Sequence, residues 1–70
     1  MEATTTYQPV KFFDLEQALD FARKESQANK DAFFVIYDYQ LKCWFVDDSS
    51  FTRSLEKLEA TFDGGKRIYD

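Results

Sequence analysis

The sequence predicts an α+β domain: a small two-layer sandwich, β-α-β-β-α-β in order, with an antiparallel sheet carrying two helices on one face. Three observations predict it. A capped amphipathic segment runs from Asp14 to Asn29, and two runs rich in aromatic and β-branched residues, Ala32–Asp38 and Leu41–Val46, follow it with only a brief link between them. The chain has 70 residues, of which 44% are hydrophobic and 19% aromatic, with two Gly and one Pro, so one dense core is available and a second does not fit.

The elements follow in order. Residues 1–6 are polar and are expected to fray, leaving 7–70 as the single domain. Tyr7 to Phe12 alternates, with Val10 and Phe12 on one face, and Pro9 suits the beginning or edge of a strand. Asp14 is placed to cap a helix, with Gln17 three residues on and Phe13 just before it. Leu15, Ala18, Leu19 and Ala22 then recur at i, i+3, i+4 and i+7, Phe21 widens that stripe, and Asn29 is the expected C-cap. Ala32–Asp38 and Leu41–Val46 read as a hairpin of two strands, although the link lacks an Asn-Gly turn signal. After Asp47-Asp48-Ser49-Ser50, a turn of N-capping residues, Phe51, Leu55, Leu58 and Phe62 mark one stripe of a second helix, which Gly64-Gly65 would end. Lys66–Tyr69 supplies a last short strand. With right-handed crossovers this order gives the split β-α-β, ferredoxin-like arrangement.

Composition excludes more than it assigns. There is no histidine, so Cys43, the lone cysteine, has no imidazole to activate it and reads as a small buried apolar residue. One thiol makes no internal disulfide, and zinc-type sites lack their ligands. Asp47 and Asp48, with Asp31, lack the spacing and glycine of a calcium loop. No catalytic residue, metal or cofactor is therefore expected. The polar N-terminus has no signal-peptide pattern, and the longest apolar run, Ala32 to Tyr37, is far too short to cross a bilayer. The expectation is cytoplasm, bacterial or that of a host cell if the source is viral. A net charge of −4 argues against direct nucleic-acid binding.

The central strands carry more apolar residues than one covered face needs. Phe33, Val35 and Tyr37 oppose Phe34 and Ile36, and Trp44 and Val46 oppose Leu41, Cys43 and Phe45. One set should be left uncovered, expected to be Phe33, Val35 and Tyr37 with Trp44 and Val46, of which Phe33, Val35, Tyr37 and Trp44 are the expected contact residues. The sequence thus reads as a non-catalytic, acidic protein-interaction module, homodimeric through that aromatic face. The alternative is an inhibitor of the anti-restriction or anti-CRISPR kind, sterically blocking a nucleic-acid-handling protein. Its acidic contacts would come from Glu16, Asp20, Asp47 and Asp48, aimed at a basic partner.

Overall fold

The helix forms where its capping signals stand. In the computed structural model, which describes residues 7–50 and 52–69, α1 spans Leu15–Asn29. The Asp14 carboxylate accepts a hydrogen bond from the Gln17 amide at 3.1 Å. The C-cap is Lys30 rather than Asn29, in the left-handed conformation, and its amide bonds back to the Ser26 carbonyl. Ala18, Ala22 and Ser26 are the helix positions that become buried. No helix of the described residues is long and apolar enough to cross a membrane.

Five strands accompany it: β1 (Val10–Phe12), β2 (Ala32–Asp38), β3 (Cys43–Asp47), β4 (Glu56–Asp63) and β5 (Lys66–Ile68). They form one sheet in the order β1-β3-β2-β4-β5, every neighbouring pair antiparallel. β1 and β2 therefore run parallel, with β3 inserted between them and α1 joining them, which is the expected split β-α-β unit. The β2–β3 hairpin closes without an Asn-Gly pair. Asp38 Oδ1 accepts from the Gln40 and Leu41 amides, both at 2.8 Å, the Lys42 amide bonds to the Asp38 carbonyl, and Lys42 takes a left-handed φ of 56°.

The second half departs from expectation. The stretch read as a second helix is β4, so the molecule is an α+β domain with one helix on a five-stranded sheet, and the two-helix ferredoxin-like layout does not form. Leu55, Leu58 and Phe62 do fall at helical spacing, but Leu58, Ala60 and Phe62 also alternate with Lys57, Glu59, Thr61 and Asp63. Pairing with the free edge of β2 selects the second period, because an unpaired edge in the middle of so apolar a strand would leave its backbone groups without partners. Gly64 and Gly65 have φ of 60° and 87°, and they make the two-residue turn into β5 instead of ending a helix. Phe51, the first residue of the expected stripe, lies outside the described residues, as do the expected frayed residues 1–6.

The core lies between α1 and one face of the sheet. Ala18 and Ala22 meet Phe33, Val35, Val46, Ala60 and Phe62, and Tyr7, Phe12, Leu15, Leu19, Phe21 and Trp44 close its margins. A buried clamp ties the far end together: Ser26 Oγ donates to the Arg23 carbonyl and accepts from the Gly65 amide, both at 2.9 Å.

Candidate functional site

The register decides which set of side chains the helix leaves uncovered. Val10, Val46 and Val35 are paired neighbours, as are Phe12, Trp44 and Tyr37, and Val35 is opposite Ala60. All of these are on the α1 side. The expected contact residues, with Val46, are thus on the helix-covered face and not the open one: Phe33 and Val35 are 3% and 0% exposed and Val46 0%, while the half-buried Tyr37 and Trp44 rings meet at 5.0 Å, tilted by 51°. The physical reason is that α1 brings small residues, Ala18, Ala22 and Ser26, to the sheet, so it seats directly on the larger Phe33 and Phe62 side chains. The Trp44 indole N–H and the Tyr7 hydroxyl are buried at that margin without hydrogen-bond partners.

The helix-free face is built by the complementary positions. Lys11, Phe45, Ile36 and Leu58 form one row across β1, β3, β2 and β4, and Phe34, Thr61 and Ile68 form the next across β2, β4 and β5. Leu58 is there because of a bulge. Val35 pairs with Ala60 but Ile36 pairs with Leu58, so Glu59 is an extra residue that lets Leu58 and Ala60 point to opposite faces. Residues 48–50 and 52–55 run along part of this face, joined to the β2–β3 turn by a bond from the Tyr39 amide to the Leu55 carbonyl at 2.9 Å. Ile36 and Cys43 are buried, Phe34 and Phe45 are half-buried, and Leu41, Leu58 and Ile68 remain 55%, 43% and 48% exposed.

At one end of the face a cavity of about 330 Å³ opens between the sheet and the β3–β4 connection. Its lining combines apolar Pro9, Ile36, Leu41 and Phe45 with Asp38, Asp47, Glu56, Ser49 and Arg53. Asp38 and Glu56 stand directly opposite each other across β2 and β4. Asp47 ends β3 and does not cap a helix; its carboxylate accepts from the Asp48 amide at 2.7 Å. Burial pushes the Asp47 carboxyl above the usual carboxylate range, against the pull of that hydrogen bond, and the Asp48 charge adds to the rise. Asp48 itself is exposed.

The helix carboxylates stand apart from this cavity. Glu16 is exposed on the first turn of α1, and Asp20 is engaged within the helix by Arg23 at 2.6 Å and Lys24 at 3.0 Å. Lys24 first, and then Arg23, holds the Asp20 carboxyl below its ordinary value. Glu16 and Asp20 therefore do not join Asp47 and Asp48 in one patch. Sequence reasoning missed Asp38, Glu56, Leu58 and Ile68; the period-two alternation of 56–63 was a signal for the strand, but nothing in it marks the bulge that turns Leu58 away from Ala60.

Chemically the face offers binding groups. The Cys43 thiol is buried, and burial pushes its pKa up, away from the reactive thiolate. Among the described residues no three Asp, Glu or Cys side chains converge as a metal site. No protein-family model, no curated protein and no solved structure matches this chain.

Proposed function

We propose that this protein is a non-catalytic binding module that recognises another protein through the helix-free face of its sheet. The observation that carries the reading is the continuity of apolar side chains on that face. Leu41, Leu58 and Ile68, around the buried Ile36, are about half exposed, and Phe34 and Phe45 partly so, across four strands. Single exposed apolar residues are ordinary on a protein surface, whereas a connected patch marks a contact surface. The acidic rim at Asp38, Asp47 and Glu56 suits a basic partner, as does the net charge of −4. An inhibitor that sterically occupies a basic, nucleic-acid-handling protein is the sharper form of this reading.

Self-association through the same face is the second reading, favoured by the same apolar rows. Light scattering after gel filtration separates the two, with Leu58→Asp as the control. A mass of 8.3 kDa at micromolar concentration is the expected result. A doubled mass that Leu58→Asp returns to 8.3 kDa would keep the face but make a second copy its partner. A doubled mass indifferent to Leu58→Asp would remove the face from the interface.

A further inference from the structure

We propose that the cavity on the helix-free face receives one cationic side chain, an arginine or lysine, from a basic segment of the partner protein. The inference rests on the docking face proposed above and adds what enters it. A volume of about 330 Å³ is at the small end of ligand pockets, which run from about 300 to 1,000 Å³, and suits a single long side chain. Its construction is amphipathic. Leu41 and Phe45 offer apolar area to an alkyl stem, and Asp38, Asp47 and Glu56 in the same lining offer carboxylates to a charged head.

The charge balance selects the occupant. Three carboxylates line the cavity against one guanidinium, that of Arg53. Asp38 and Glu56 are direct cross-strand partners, an arrangement that is destabilising for like charges unless a cation lies near. Arg53 meets Glu56 through its backbone amide, which donates to Oε1 at 2.9 Å, and its guanidinium is not among the ion pairs of the described residues, which are Asp20 with Arg23 and Lys24, and Lys57 with Glu59. Asp38 likewise spends Oδ1 on the Gln40 and Leu41 amides. Oδ2 of Asp38 and Oε2 of Glu56 accept none of the hydrogen bonds described, and a guanidinium or ammonium with several N–H groups can donate to both carboxylates. An anionic or purely apolar side chain would leave the repulsion in place.

The test is a titration of the full chain, followed by amide NMR shifts, with the capped peptide Gly-Phe-Arg-Phe-Gly and its counterpart carrying neutral citrulline for arginine. The arginine peptide is expected to shift Leu41, Phe45 and Asp47, and to weaken as salt is raised. Citrulline in the peptide, or Glu56→Gln in the protein, should each weaken binding about ten-fold, the loss of one charge-assisted hydrogen bond. Glu56→Gln retains the oxygen that caps the Arg53 amide, so its folding is expected to match that of the parent by thermal melting. Equal binding of the two peptides, indifference to Glu56→Gln, or no binding of the arginine peptide at millimolar concentration would overturn the inference. Leu58→Asp separates it from the reading beneath it. Binding lost in Leu58→Asp but unchanged in Glu56→Gln leaves the docking face standing without the cationic receptor; the reverse pattern leaves the receptor and removes the face.

Discussion

At the residue scale, two buried polar groups set measurable costs. The Tyr7 hydroxyl is pushed from 10.0 up to about 12, by burial first and then by the charge of Glu25, although no hydrogen bond of ordinary geometry joins the two. In the unfolded chain the phenol ionises near its ordinary value, while the folded chain keeps the proton. Between about 10 and 12 the unfolded state thus binds fewer protons, and stability falls as pH rises. Tyr7→Phe removes both that loss and the burial of an unpartnered hydroxyl, so urea titrations should find the variant somewhat more stable at neutrality and the gap widening as pH passes 10. A constant gap would place the hydroxyl in water. Ser26 is the opposite case, since its oxygen is fully used by the Arg23 carbonyl and the Gly65 amide. Ser26→Ala leaves that amide without a partner in a buried place, and a loss of about 1–3 kcal/mol is expected by denaturant unfolding.

At the element scale, the sequence was legible wherever one period stood alone. α1 has a cap and an apolar stripe that agree, and its sheet-facing Ala18 and Ala22 were readable as core. β2 and β3 were readable as strands from their composition. Which of their faces α1 covers was not, because both faces are apolar and the choice depends on a helix surface with small residues elsewhere in the chain. The segment 56–63 satisfied two periods at once, and only its pairing with β2, a contact remote in sequence, chose between them. The bulge gives a test of that choice. Deleting Glu59 takes out the extra residue and leaves Leu58 opposite Ile36 and Ala60 opposite Val35, so the variant should fold, with a loss of no more than about 2 kcal/mol. In a helix the same deletion would turn every later side chain by about 100° away from its contacts. The β4–β5 turn gives another. Gly65 has φ of 87°, and a Cβ there would stand 3.0 Å from Gln27 Cβ, so Gly65→Ala should cost more than Gly64→Ala, whose added methyl meets nothing within 4 Å.

At the scale of the whole molecule, one helix on a five-stranded sheet divides the apolar residues into two populations with different work. Those under α1 hold the fold together with Ile36 and Cys43, which are buried on the reverse face, while Leu41, Leu58 and Ile68 stay about half exposed there. Phe62 and Leu58 lie on the same strand, four residues apart, and the bulge between them sends them to opposite sides. Phe62 is 5% exposed within the core and Leu58 is 43% exposed outside it. Truncating Phe62 to alanine opens a cavity against α1 and should cost about 3–5 kcal/mol, a large share of the stability of so small a domain. Leu58→Ala removes a side chain already half in water and should cost less than about 1 kcal/mol. The same pair should reverse order in binding: the Leu58 variant, folded, loses affinity for its partner, while the Phe62 variant binds as tightly as the parent in whatever fraction remains folded. Denaturant unfolding and peptide titration of both variants measure the two orders independently. If Leu58→Ala instead unfolds the chain, the reverse face is a second core, and the binding surface must be sought at the acidic turns of α1.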